Sequence, residues 1–185
     1  MTQSAPHASG FSSRFVAVMI DALVLFPFAL LVGKLIQWPG RIPVLGAVIY
    51  GLMFPVYHIV LLGLFGQTVG KKIAGLRVEL INGNVIRWRQ AFLRHAVDLC
   101  FALILIGGWI SVLSEPHQFQ NVKYYTLLRP DLPFFIWAGN VWTAWIWSEL
   151  IVMFLNRRRR ALHDFIAGTW VVQCRVTASK PIALS

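Results

Sequence analysis

The run Ile42-Pro-Val-Leu-Gly-Ala-Val-Ile-Tyr-Gly-Leu-Met-Phe-Pro-Val-Tyr-His-Ile-Val-Leu-Leu-Gly-Leu-Phe65 contains no Lys, Arg, Asp or Glu. A hydrocarbon layer about 30 Å thick needs roughly 20 helical residues to cross it, and this run is long enough. A helix on the surface of a soluble core would show an apolar stripe with a polar back. This one is apolar all round. Three further stretches read the same way: Phe15–Gly33, Ala91–Leu113 and Phe134–Leu155. Backbone in lipid must satisfy its own hydrogen bonds, so four such runs predict four spanning helices. Pro27 and Pro55 fall inside the first two and are expected to bend them. The fold class is an all-α polytopic membrane protein with four transmembrane helices.

Composition agrees. Of the 185 residues, 57% are hydrophobic and 13% charged, with a mean hydropathy of +0.65. A soluble domain carries about 25% charged residues. Disorder, a disulfide scaffold and a collagen-like chain are excluded. A net charge of +10 would suggest nucleic acid in a soluble protein, but its distribution points elsewhere. Arg14 precedes the first helix. Lys71, Lys72, Arg77, Arg87, Arg89 and Arg94 lie between the second and third, and Arg157, Arg158, Arg159, Arg160, Arg175 and Lys180 follow the fourth. The opposite face has only Lys34, Arg41, Lys123 and Arg129. The positive-inside bias puts both termini in the cytosol. Anionic headgroups then account for the basic excess, with Lys71, Lys72 and Arg157 to Arg160 as headgroup contacts and no nucleic-acid partner.

Residues 1–13 read as a flexible cytosolic tail without the basic start of a secretory signal, so the first helix is expected to be retained. Residues 14–176 form one membrane domain, and 177–185 a second tail. Cys100 lies in the third helix and Cys174 in the cytosolic segment, a placement that argues against a disulfide.

Gly66-Gln-Thr-Val-Gly-Lys-Lys72 invites comparison with a phosphate loop. It has one residue too few between its glycines, no Ser or Thr after the Lys, and no preceding strand. We read it as a turn at headgroup level. Leu76 to Leu80, then Asn82-Gly83, then Val85 to Trp88 is a hairpin signal. Gly168 to Val172 reads as a third strand that joins the hairpin beneath the bilayer. The outer loop, 114–133, carries no interpretable motif.

Ionisable groups inside the spans are the informative residues, because an Asp at the bilayer centre costs roughly 2.5–3.5 kcal/mol. Asp21, His58, Asp98 and Glu149 each lie about 9–10 Å from the cytosolic end of their helix at 1.5 Å per residue. Each helix supplies one. Arg14 and Arg94 stand near the cytosolic entrances, and Arg94 is spaced to pair with Asp98 at i,i+4. Asp21 needs a partner from another helix or a proton of its own. Two readings remain open: interhelical glue, or an ion or proton pathway through Asp21, Asp98 and Glu149, with His58 titrating near neutrality. His95 reads as interfacial and His7 and His117 as loop residues. No metal-ligand spacing is present, so no metal or other cofactor is expected. Trp137, Trp142, Trp145 and Trp147 read as interface anchors rather than as a cage.

These residues resemble the RDD membrane protein family, named for one arginine and two aspartates. Phe11-Ser-Ser-Arg14 followed by Asp21 resembles its Arg and first Asp. Gly66 to Lys72 with Gly75-Leu-Arg-Val78 is similar to its GQTxGK…GLRV segment, and Phe92-Leu-Arg94 to the start of its later helix. Arg160-Ala-Leu-His-Asp-Phe-Ile-Ala-Gly-Thr169 resembles its closing LHDxxAGT. Asp164 is taken as the second family Asp, with Asp98 its rival. The resemblance implies a bacterial inner-membrane protein without enzyme motifs, with cation/proton exchange among its suggested activities. It singles out Arg14, Asp21, His163 and Asp164.

Two functions follow. In the first, the chain is a small-cation/proton transporter using intramembrane carboxylates, and its four helices call for a homo-oligomer. In the alternative, it is a non-transporting adaptor whose basic cytosolic platform binds headgroups or a partner protein. An enzyme is not expected, because no nucleophile–base pair or metal constellation is present.

Overall fold

A computed structural model describes residues 8–36, 42–113 and 133–174. Four long helices dominate it: α1 (Phe11–Ile36), α2 (Ile42–Phe65), α4 (Trp88–Leu113) and α5 (Pro133–Leu155). Two short helices, α3 (Val69–Ile73) and α6 (Leu162–Ala167), and two strands, β1 (Leu76–Leu80) and β2 (Thr169–Gln173), complete the order. All four long helices contain windows long and apolar enough to cross a membrane. Their outward faces carry large apolar side chains such as Leu23, Phe26, Leu103, Trp137 and Ile151, all exposed in the isolated chain. In water that surface would aggregate, whereas hydrocarbon solvates it.

Helices α1 and α4 begin a few residues before the apolar runs. Their first turns are polar and use local caps: Arg14 N–H donates to the Gly10 carbonyl (3.4 Å) and Arg87 N–H to the Gln90 side chain (3.2 Å). Helices α1 and α2 run on through Pro27 and Pro55. The segment read as the outer loop lies, apart from Pro133, outside the described residues.

The tightest apolar core sits at one end of the bundle. Ala17, Leu62, Ala91, Leu76, Val78, Ile86 and Val171 bury one another where α1, α2 and α4 meet the sheet. Strand β1 pairs antiparallel with β2, from Leu76↔Gln173 to Leu80↔Thr169. The sequence pattern predicts a hairpin with a third strand added, and here the structure differs. The turn at Asn82–Gly83 forms, with Gly83 at φ 83° and its N–H on the Leu80 carbonyl. The return arm, however, makes a single bridge, Glu79↔Val85, and is no strand. The reason is that Val78 N–H already donates to the Gly66 carbonyl (3.0 Å), so the loop after α2 occupies that edge. Gly66 does so at φ 67°, a left-handed conformation that favours glycine.

Residues 8–10, assigned by the sequence pattern to a tail, lie against β2. Ala8 bridges Val172, and the buried Ser9 donates both its N–H (3.0 Å) and its hydroxyl (3.1 Å) to the Val171 carbonyl.

Candidate functional site

Three groups of titratable side chains meet at the end of the bundle that carries the sheet. The first is built around Asp21, which is 1% exposed. Its carboxylate accepts hydrogen bonds from Tyr57 Oη (2.7 Å), Thr68 Oγ1 (2.6 Å) and the Gly70 N–H (2.7 Å). His58 Nε2 stands 3.8 Å from Asp21 Oδ2. The Gly66–Lys72 segment is therefore a clasp on this carboxylate rather than only a turn at the headgroups. Thr68 caps α3 by accepting from the Lys71 N–H (3.3 Å), and the same hydroxyl donates to Asp21. Gly70 is required by space: a Cβ there would stand 2.0 Å from the Ala17 carbonyl oxygen.

The second group centres on Asp164, which is fully buried. Its carboxylate accepts from Arg94 Nη1, Arg14 Nη1 (3.3 Å), Thr169 Oγ1 (3.2 Å) and the Ala161 N–H (3.1 Å). The last contact turns the Asp164 carboxylate back onto the N-cap backbone N–H at the start of α6, and Gly168 ends that helix in the left-handed conformation. Burial alone would raise the Asp164 pKa, but the Arg94 and Arg14 guanidiniums outweigh it and hold the group well below the usual carboxylate range. Arg94 also reaches Thr169 Oγ1 (2.9 Å) and His163 Nε2 (2.8 Å). Since Arg94 can only donate, His163 Nε2 must accept, which leaves the ring proton on Nδ1. That nitrogen lies 2.5 Å from Glu149 Oε2, while the His163 N–H donates to Glu149 Oε1 (3.0 Å). Glu149 thus ties α5 to α6.

The third group is a pair. His95 Nδ1 and Asp98 Oδ2 are 2.7 Å apart. The i,i+4 spacing predicts an Arg94–Asp98 pair, which does not form because the guanidinium turns to Asp164. His95, read from sequence as interfacial, is 8% exposed and stands between the other groups. Its ring centroid is 5.0 Å from that of His58 and 6.5 Å from that of His163. The four residues expected at one depth therefore fall into three clusters joined by a histidine that depth alone did not single out. Its i,i+3 spacing to Asp98 was the available signal.

This geometry accounts for the residues that carried the family resemblance, and the model of the RDD family matches residues 8–168. The chain belongs to the RDD family. No curated protein and no solved structure matches it. Within that match Arg14 and Asp164 are ion-paired across the fold, and Asp21 holds the Gly66–Lys72 segment.

The basic residues divide. Lys72, Arg157, Arg158 and Arg159 are exposed, as headgroup contacts must be. Arg160 is not one of them. It is 9% exposed, donates to the Thr169 and Asp164 carbonyls (both 2.9 Å) and lies 4.0 Å over the Phe165 ring. Half-buried Lys71 is also drawn inward. Burial and then the Arg94 charge lower its pKa to about 8, against the pull of Asp21 and Asp164. Between pH 8 and 10.5 the unfolded chain binds more protons at Lys71 than the folded chain does, so stability at this site rises with pH across that window. Below pH 8 the full cost of the charge is present. Lys71→Met is therefore expected to raise the melting temperature at pH 7 by about 2–4 °C, with the gain fading above pH 10. A scan over pH 7–10.5 checks this.

Proposed function

We propose that this RDD protein is a small-cation/proton exchanger of the bacterial inner membrane, with Asp98 as the carboxylate that alternates between proton and cation. The observation that carries the reading is the difference between the buried Asp21 and Asp164 and the partly exposed Asp98. Asp21 and Asp164 are saturated with donors that favour the anion and leave little room for a competing cation. Asp98 has His95 as its one hydrogen-bond partner among the described residues, and its side chain is 18% exposed. A carboxylate that must release one ion and take another needs such an open coordination sphere. Glu149, locked to His163 and the α6 backbone, serves as a positional anchor.

The exchanger works as a homo-oligomer with both termini in the cytosol. Only 6% of the most apolar window of α5 is buried inside the chain, which leaves that helix free for lipid or a second copy. Lys72 and Arg157 to Arg159 rest on anionic headgroups. Neither a chemical reaction nor nucleic acid enters this reading.

The test is proton movement in proteoliposomes with a trapped pH indicator, driven by gradients of Na⁺, K⁺ or Li⁺. Wild-type protein should move protons with at least one of them, and Asp98→Asn should reduce that movement to the leak of empty vesicles. Asp98→Asn protein that runs as wild type on size exclusion and still exchanges at the wild-type rate contradicts the assignment. If the wild type moves no protons with any of the three, the adaptor reading replaces it. Its mark is loss of partner or headgroup binding on replacing Arg157 to Arg159.

A further inference from the structure

We infer that His95 is a proton relay between the His58–Asp21 pair and Asp98, an inference that rests on the exchanger reading above. Four ring nitrogens define it. His58 Nδ1 lies 3.0 Å from the Phe54 carbonyl, which can only accept, so Nδ1 carries a proton and Nε2 is the position that titrates. That Nε2 faces Asp21 at 3.8 Å. His95 uses Nδ1 on Asp98, while its Nε2 is buried without a hydrogen-bond partner among the described residues. A buried, unpaired ring nitrogen is costly in a satisfied interior. Here it belongs to a ring whose centroid is 5.0 Å from that of His58.

The transfer balances as follows. A proton that reaches His58 makes it an imidazolium, held by the Phe54 carbonyl and facing the Asp21 carboxylate, while His95 is neutral with its proton on Nδ1 and Asp98 is ionised. His58 gives its Nε2 proton to His95 Nε2 through one bridging water, since the two rings stand 5.0 Å apart by centroid without a direct hydrogen bond. His95 gives its Nδ1 proton to Asp98 Oδ2. His58 and His95 end neutral, and Asp98 ends as the carboxylic acid. One proton has moved, and one buried cation and one buried anion have been neutralised together. In the end state Asp98 holds a proton and no longer attracts a cation. The reverse transfer restores the carboxylate.

The groups around the relay set its direction. Arg94, Asp164 and His163 form the cluster next to His95, while Asp21 and Tyr57 stand at the far end beside His58. His163 takes no part in the transfer, since its Nε2 is held by Arg94 and its Nδ1 lies against Glu149.

His95→Gln keeps an amide within reach of Asp98 but cannot carry a proton through a ring. Cation-driven proton movement in proteoliposomes should fall about a hundredfold, in protein that runs as wild type on size exclusion. Wild-type rates in His95→Gln overturn the relay and leave the exchanger reading standing. A wild type without cation-driven proton movement overturns both. A second measurement covers a variant that does not fold: ¹⁵N spectra of histidine-labelled wild type over a pH range. The His95 proton should pass from Nδ1 to Nε2 as Asp98 protonates, and this shift should vanish in Asp98→Asn. A His95 ring that keeps one tautomer throughout contradicts the inference.

Discussion

Arg94→Ala is expected to destabilise the protein by about 3–5 kcal/mol, the usual cost of removing one partner from a buried ion pair. Arg94 is 4% exposed and Asp164 is fully buried, so no water replaces the lost charge. The substitution strips Asp164 of its strongest opposing charge, leaves Thr169 Oγ1 without the Arg94 donor, and frees His163 from the contact that fixes its tautomer. What remains is Arg14, at 3.3 Å, with the Thr169 hydroxyl and one backbone N–H. Because α1, α4, α6 and β2 all meet at this carboxylate, the loss should appear as detachment of the α6–β2 segment from the helices. Chemical denaturation in detergent, with protease sensitivity after Leu155, measures both effects. Arg94→Lys should recover only part of the loss, since an ammonium cannot serve Asp164, Thr169 and His163 with a planar fork. A variant as stable as wild type would mean that Arg14 alone suffices.

Gly70→Ala is expected to be as damaging, although it adds a single methyl group. The new Cβ would stand 2.0 Å from the Ala17 carbonyl oxygen and 2.9 Å from Asp21 Cγ. The first is backbone within α1 and cannot swing aside, so α3 must move away. Overpacking of this kind costs about 1–3 kcal/mol. The displacement also takes the Gly70 N–H and the Thr68 hydroxyl from Asp21, and hydrogen bonds to a charged group are worth about 1.5–3 kcal/mol each. Loss of about 4 kcal/mol or more is the expected total. Gly139→Ala on α5, where a Cβ meets nothing within 4 Å, is the control and should be close to neutral. Thermal unfolding of the two variants side by side decides the matter. A Gly70→Ala protein with the wild-type midpoint would show that the α1–α3 contact is looser than drawn.

The spans were legible because lipid imposes a compositional rule that needs no tertiary information. The bounds Ile42–Phe65 and the ends at Leu113 and Leu155 were legible too, but the starts of α1 and α4 were not, since Ser12, Ser13, Arg14, Arg89 and Gln90 put polar residues in their first turns. The Asn82–Gly83 turn could be read locally, but the edge it was expected to fill belongs to Gly66, twelve positions before Val78 in a loop with no strand pattern. The site behaves similarly. Arg94 and Asp98 have the right local spacing, yet Arg94 pairs with Asp164, seventy residues away, because α6 caps its own first turn with that carboxylate and brings it to α4. Asp21 could be recognised as an aspartate needing a partner from elsewhere. That the partners would be Tyr57, Thr68 and a backbone N–H follows only from the α1–α3 contact that Gly70 permits. His95 lay beside Arg94 in a segment whose charge drew the reading toward headgroups, and only the packing of α2 against α4 places its ring beside His58.

Coupling is the property that separates an exchanger from a leak, so the most direct measurement follows both ions at once. Radiolabelled sodium uptake and internal pH would be recorded in the same proteoliposomes, for wild type and Asp98→Asn. Competition at one carboxylate requires that sodium entry and proton exit start together, keep a fixed ratio across gradients, and disappear together in the variant. Sodium entry without proton movement, or either flux surviving intact in Asp98→Asn, would contradict exchange at Asp98.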